Sequence, residues 1–225
     1  KQLTALVVDH HDETLAAPIR ILAAGLPGPE YATSFGKADF AKLFATSEGA
    51  DLFELLRREI ESTYSPDFLL IDSRTGLTDV GAVAVFQLAD TVVLVTTLSE
   101  QSLAGSQMAQ LQIFEAAETR RADLKVLRIA SHVPADQPDL VKTALATAEK
   151  FGLTPHYQIR LQPHLFVKFE VFTRDYPDDP YTAGPYKKLA FDLIEALPAP
   201  KEKEPGENTF ATKVATVFRL MNCPV

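Results

Sequence analysis

The sequence predicts an α/β fold with a mostly parallel sheet flanked by helices. Short apolar runs alternate along the chain with longer segments of helical period, and this alternation is typical of parallel strands joined by crossover helices. The 225 residues are 46% hydrophobic, which is ample for a core. Residues 68–71 and 92–95 are apolar at every position. We therefore expect both runs to be buried on two faces in the middle of the sheet.

The same patterns predict the remaining elements in chain order. Strands are expected at residues 3–8, 19–23, 68–71, 91–96, 126–130 and 157–161. Helices are indicated where apolar residues recur at a spacing of three and four. The inward positions are expected to be Leu52, Leu56 and Ile60 in the first helix, Ala104, Met108, Leu111 and Phe114 in the second, Leu140, Ala144, Leu145 and Ala148 in the third, and Leu189, Leu193, Ile194 and Leu197 in the fourth.

Local signals mark the ends of these helices and the limits of the domain. Pro66 ends the first helix, the polar stretch 97–102 offers several caps for the second, and Pro138 and Gly152 bound the third. We predict one α/β domain over residues 1–197. Residues 198–208 hold three prolines with lysines and glutamates and are predicted to be a linker. Residues 209–225 form a tail, in which the apolar spacing predicts a short amphipathic helix that docks on the domain or on a partner.

Composition excludes several classes of protein. The 22 basic and 30 acidic side chains give a net charge of −8 with no basic cluster, which disfavours direct binding to nucleic acid or to an anionic membrane. The single cysteine, Cys223, excludes an internal disulfide framework and favours a reducing compartment, so the expected location is the cytoplasm. No apolar run approaches the roughly 20 residues of a membrane-spanning helix. The spacing of His10 and His11 is a poor match to a metal site.

The stretch 67–79 carries the strongest chemical signal. An apolar strand brings the carboxylate of Asp72 to its carboxyl end, and a Ser-Arg-Thr-Gly turn follows directly. Ligands of open α/β sheets bind at that edge, and a carboxylate there can hold Mg²⁺ directly or through water. The alternative is an ordinary loop capped by the Asp and Ser side chains. Arg74 is compatible with both, because it can pair with Asp72 or Asp79 or bind a phosphate.

This stretch, together with strand 91–96 and the Leu-Ser-Glu-Gln-Ser-Leu-Ala-Gly run at 98–105, resembles the Walker B and next-strand region of MinD/ParA-like P-loop ATPases. The likeness is greatest to the branch whose Walker B reads Ile-Asp-Ser-Arg-Thr-Gly. It covers most of residues 20–197, and only the turn 72–76 and its flanking strands are specific. The resemblance implies a P-loop NTPase-like fold, in the form of an incomplete Rossmann-like three-layer domain.

The resemblance also implies roles for individual residues. Asp72 matches the aspartate that organises Mg²⁺, and the residues after it match the switch turn that faces the γ-phosphate. Asp79 lies just beyond this turn, where it would help to position the attacking water. Residues 131–134 fall where the family contacts the nucleotide base, although an ordinary loop is an alternative. The implied catalytic residues are Asp72 and Asp79, and the implied ligands of Mg-ATP are Ser73, Arg74, Thr75, Gly76, Ser131, His132 and Pro134.

The chain departs from this family in one respect. Members open with a Gly-rich P-loop that binds the phosphates, whereas the only Gly-Lys pair here, Gly36-Lys37, is followed by Ala38 and has Tyr31 where a glycine is required. The resemblance therefore implies that the P-loop strand, its helix and the next strand precede Lys1. An open crevice or a foreign strand is then expected beside Asp72.

Two functions follow from these observations. The first is a homodimeric Mg-ATP switch that hydrolyses ATP slowly, provided that sequence upstream of Lys1 supplies the P-loop. The alternative is a non-catalytic module that keeps the fold and binds a protein partner. A Rossmann dinucleotide enzyme is disfavoured, because no G-x-G-x-x-G motif follows any predicted strand.

Overall fold

The fold is described from a computed structural model, which covers residues 7–11, 13, 18–23, 28–30, 33, 37, 42, 46–73, 88–120, 124–168, 170–196 and 213–220. The chain forms two compact units, Lys1–Ser65 and Pro66–Val225. The linker predicted at 198–208 lies outside the described residues. The predicted limits of the domain stay a prediction.

The first unit contains a β-ribbon and a helix. Strands β1 (Val7–His10) and β2 (Ile19–Leu22) pair antiparallel, and an ion pair of 3.5 Å joins Asp9 to its register partner Arg20. Both segments were predicted as strands of the parallel sheet, which is wrong for this pair because they bond to each other in a separate two-stranded sheet.

Helix α1 (Ser47–Tyr64) confirms the first predicted helix, but Leu52, which was expected on its inward face, is 49% exposed. The expected pairing of Glu54 with Arg58 is present at 3.2 Å, and Arg57 makes shorter ion pairs, 2.7 Å to Glu54 and 2.8 Å to Glu61. Arg57 therefore holds one carboxylate on the preceding turn and one on the following turn. Both arginines lower the pKa of Glu54, and the hydrogen bond from Arg57 is the largest cause.

The second unit is an α/β fold with a parallel sheet flanked by helices. Its five strands have the order β3-β7-β4-β5-β6, and every neighbouring pair is parallel. The strands are β3 (Phe68–Asp72), β4 (Thr91–Thr96), β5 (Lys125–Val133), β6 (Tyr157–Arg160) and β7 (Lys213–Leu220). The helices are α2 (Glu100–Arg120), α3 (Pro138–Lys150), α4 (Phe172–Asp175) and α5 (Ala183–Ala196), with a 3-10 helix at Pro163–Phe166.

The core lies on both faces of β4. All six residues of this strand are buried, as predicted. On one face, Val92 and Leu94 pack in a cluster with Leu103 and Ile113 of α2 and Ala148 of α3. The opposite face has its own cluster, which joins Val93 and Val95 to β5, β6 and α5, with members Leu127, Ile129, Tyr157, Ile159, Leu189 and Leu193. Helices therefore cover both faces of the sheet.

Strand β3 was predicted to be buried on both faces, and this prediction is wrong. The strand is at one end of the sheet order, and its residues alternate between exposed and half-buried. Phe68 is 39% exposed and Leu70 is 63% exposed. An edge strand pairs on one side only, so its apolar residues lack the cover that β4 receives from strands and helices on all sides.

The inward face of α2 also differs from the prediction. Met108, Leu111 and Phe114 are exposed, whereas Leu103, Ala109 and Ile113 are buried. The helix is turned so that Ser102, Ser106 and Gln110 lie on its buried side. The sequence of α2 has two apolar stripes. The stripe with the smaller side chains packs against Val92 and Leu94.

Two other helices match their predictions in part. Ala148 of α3 is fully buried, and Leu189 and Leu193 of α5 pack against the core, but Leu140 and Ile194 are exposed. Gly152 has φ +69°, a conformation that favours glycine, and it ends α3 as predicted.

The predicted helix in the tail is wrong, because residues 213–220 form strand β7. This strand lies between β3 and β4 and is parallel to both, with Asp72 in register with Val217 and Thr96 with Leu220. The last described element of the chain thus lies inside the sheet, between the edge strand β3 and the central strand β4. It supplies a ladder of backbone hydrogen bonds to each neighbour, which a short docked helix would not do.

Candidate functional site at the carboxyl edge of the sheet

The parallel sheet brings the carboxyl ends of β3, β4 and β5 to one edge. This edge collects Asp72 from β3, Thr96 from β4, and Ser131 and His132 from the end of β5. It is where ligands bind in open α/β sheets, because strand ends and the loops after them leave polar groups there.

Asp72 is the last residue of β3, and Ser73 follows it directly. The Asp72 side chain is exposed and makes no ion pair or side-chain hydrogen bond with a described residue. Its oxygens are therefore available to a ligand. The other residues predicted for this turn, Arg74, Thr75, Gly76 and Asp79, lie outside the described residues.

A network of hydroxyl groups follows β4. Ser99 directly precedes α2, and its Oγ accepts the backbone N–H of Ser102 at 3.3 Å, which identifies it as the helix cap. The Oγ of Ser102 in turn accepts hydrogen bonds from Thr97 at 2.8 Å and from Ser99 at 3.0 Å. The sequence indicated a cap in this stretch without showing that three hydroxyl groups converge. The signal that could have found them is the spacing of Thr97, Ser99 and Ser102 around a helix start.

Strand β5 is irregular at its carboxyl end. Its pairing with β6 shifts register between Ala130 and Val133, and His132 has φ +56° within this bulge. The His132 side chain is exposed, and its ring lies 5.9 Å from that of Phe166 at 52°. Bulges of this kind are frequent beside functional sites, because the extra residue redirects a side chain out of the strand pattern.

The other two residues predicted to contact the base, Ser131 and Pro134, are less exposed than His132. Ser131 is 7% exposed, and its Oγ has no hydrogen-bond partner among the described residues. A buried hydroxyl without a partner costs about 1–3 kcal/mol. Pro134 follows β5 and is half-buried.

These groups span an extended edge and do not form a compact cluster. From β3 to β5 the order crosses β7 and β4, which is three inter-strand spacings or roughly 14 Å. Among the described residues, no group of three or more His, Cys, Asp or Glu side chains could hold a metal ion. The single carboxylate of Asp72 fits a Mg²⁺ ion that takes its other ligands from phosphate and water, since Mg²⁺ keeps several waters.

Comparison of the chain with known proteins gives no matching family model, curated protein or solved structure. Within the described part of the chain, no helix has both the length and the apolar character needed to cross a membrane. The class of the protein is therefore defined by its fold: an α/β protein with a parallel sheet between helices.

Proposed function

We propose that the chain is a nucleotide-dependent switch of the MinD/ParA type, which binds Mg-ATP at the carboxyl edge of its sheet. The observation that carries this proposal is the position of Asp72, a free carboxylate at the end of a strand in an all-parallel sheet. Slow hydrolysis would change the turn after Ser73 and thereby regulate homodimerisation or the positioning of a partner protein. The proposed location is the cytoplasm, which the lone cysteine favours.

Several features of the edge support the proposal. Asp72 supplies the ligand for Mg²⁺, and α2 begins at the same edge, where the helix dipole favours a phosphate. Ser131 and His132 lie roughly 14 Å away, a separation that an extended ligand such as a nucleotide spans. Strand β7, which comes from the tail, lies beside β3 in the place where a domain without its own P-loop strand would need one.

The test is calorimetry with Mg-ATP and with ATP in EDTA. The Asp72→Asn variant should lose the Mg²⁺-dependent part of the binding. The Asp67→Asn variant is the matched control, because Asp67 precedes the same strand at the opposite edge and should leave binding unchanged. The measurement is made on the 225 residues and on any longer natural chain, since turnover requires a P-loop. The absence of Mg²⁺-dependent binding in every form would overturn the proposal.

A non-catalytic interaction module is the second candidate. It is favoured by the exposed apolar residues of α2, Met108, Leu111 and Phe114, which are 58%, 62% and 42% exposed. If this function is correct, Asp72→Ala leaves partner binding unchanged while Leu111→Ser weakens it. Pull-down with the two variants distinguishes this candidate from the first.

A further inference from the structure

A second cleft lies at the opposite, amino edge of the sheet. Its volume is about 440 Å³, within the range of small-molecule sites. The strand side is formed by Lys125 and Leu127 of β5, by Tyr157 at the start of β6 and by His156 just before it. Leu127 and Tyr157 are 4% and 5% exposed, so only a small part of each reaches the floor of the cleft. The cleft therefore has little open apolar surface and is lined mainly by charged groups.

Helix α5 forms the other side. Lys188, Asp192 and Glu195 line the cleft at a spacing of four and three residues, which places them on one face of the helix. The carboxylate of Asp192 accepts a hydrogen bond from the Tyr157 hydroxyl. Glu195 makes no ion pair with a described residue and remains free to accept a hydrogen bond. One side of the cleft thus offers an anionic acceptor.

The cationic groups of the cleft are also available. Neither Lys125 nor Lys188 makes an ion pair with a described residue, although the Nζ of Lys188 lies 5.5 Å from the centre of the Tyr157 ring. In a chain with a net charge of −8, two unpaired ammonium groups around one cleft are notable. They are free to bind a carboxylate.

His156 lies at the strand side of the cleft and contacts Arg128. Its Nδ1 accepts the backbone N–H of Arg128 at 2.9 Å, and its Nε2 lies 3.5 Å from the Nη2 of Arg128. Burial of the ring, followed by the charges of Arg128 and Lys125, lowers the pKa of His156. This lowering favours the neutral form of the ring.

We propose that this cleft binds a small zwitterion, a free α-amino acid. The carboxylate of the ligand lies between Lys125 and Lys188, and its ammonium group lies at Glu195. Two positive and two negative side chains line the cleft, so a zwitterion matches its balanced charge better than a simple anion does.

The probe is L-leucine, added to the isotope-labelled full chain and followed by NMR. We expect saturable shifts of the His156 ring and of the amides of residues 125–127 and 156–157. Two analogues test the two ends of the ligand: 4-methylpentanoate lacks the ammonium group, and 3-methylbutylamine lacks the carboxylate. Each should bind roughly tenfold more weakly, because each leaves a charged side chain without its partner.

Variants assign these effects to the cleft. Lys125→Gln should weaken the binding of L-leucine roughly tenfold and leave the binding of 3-methylbutylamine unchanged. Glu195→Gln should weaken the binding of L-leucine by the same factor and leave the binding of 4-methylpentanoate unchanged. Lys142→Gln, an exposed lysine of α3 outside the cleft, is the control and should have no effect. The proposal is overturned if L-leucine gives no saturable shift, if both analogues bind as tightly as L-leucine, or if the control weakens binding equally.

Discussion

The hydroxyl of Tyr157 donates a hydrogen bond to the carboxylate of Asp192 and joins the first residue of β6 to α5. The two residues are 35 positions apart in the chain. Tyr157 also belongs to the core cluster that Leu189 and Leu193 of α5 pack against. The bond therefore stabilises the packing of α5 on the sheet through a polar contact at the edge of an apolar one.

This bond makes stability depend on alkaline pH. Burial, with the bond to Asp192, raises the pKa of Tyr157 from its usual 10 to about 12. Because the folded pKa lies above the unfolded one, the proton stabilises the fold, fully below pH 10 and progressively less as pH rises toward 12. Urea unfolding at pH 8, 10 and 11 should show this loss in the native chain.

The Tyr157→Phe variant lacks the titrating hydroxyl, so its stability should fall less steeply than that of the native chain as pH rises from 8 to 11. At pH 8 its free energy of unfolding should be about 1–2 kcal/mol lower than that of the native chain. Tyr186 lies on α5, as Asp192 does, and Tyr186→Phe is the control. Its stability should fall with rising pH as steeply as that of the native chain. An equally steep decline in Tyr157→Phe and in the native chain would contradict the assignment.

The orientation of α2 can be tested with one matched pair. Ile113 is 2% exposed and Leu111 is 62% exposed. Ile113→Ala should lower the free energy of unfolding by about 2–5 kcal/mol, because it leaves a cavity beside Leu94. Leu111→Ala should change it by less than about 0.5 kcal/mol. Urea denaturation measures both, and a larger loss from Leu111→Ala would mean that the helix presents the opposite face to the sheet.

Two glycines should respond to alanine in opposite directions. Gly152 has φ +69°, where a side chain is strained, and Gly152→Ala should cost about 1 kcal/mol. Gly105 lies inside α2 with open space around an added methyl group, so Gly105→Ala should stabilise by about 0.5–1 kcal/mol. Thermal and urea unfolding report both changes. Equal effects of the same sign would refute the left-handed conformation at Gly152.

The sequence predicted β4 correctly because its composition and its environment agree: four consecutive apolar residues are covered on both faces. Residues 68–71 carry an equally apolar run, yet β3 is at an edge. An apolar run shows that a strand can be buried, whereas the place of that strand in the sheet depends on which other strands pair with it. Segment 213–220 has Val and Phe residues at a helical spacing, and the same residues also favour strands. Short segments of this kind are ambiguous from sequence alone. In the structure it pairs with β3 on one side and β4 on the other.

The functional residues also differ in whether the sequence alone could locate them. Asp72 was placed correctly at a carboxyl edge, because one apolar strand followed by a polar turn is a local pattern. The contact between Tyr157 and Asp192 could not be found in this way, since no pattern in the sequence links a residue of β6 to one of α5. The cleft at the amino edge depends on that packing and on the positions of Lys125 and Lys188. Long-range contacts of this kind arise from the fold as a whole.

His132 provides a test of the bulge at the end of β5. Its φ of +56° is unfavourable for residues with a side chain, most of all for β-branched ones. We expect His132→Val to lower the free energy of unfolding by about 1–2 kcal/mol relative to the native chain. His132→Gly relieves the strain, loses the contact with the Phe166 ring, and should therefore change stability little. Urea unfolding of the two variants at neutral pH measures the difference. If the valine variant proved as stable as the glycine variant, the left-handed conformation at His132 would be wrong, and the bulge would no longer explain how this side chain reaches the carboxyl edge.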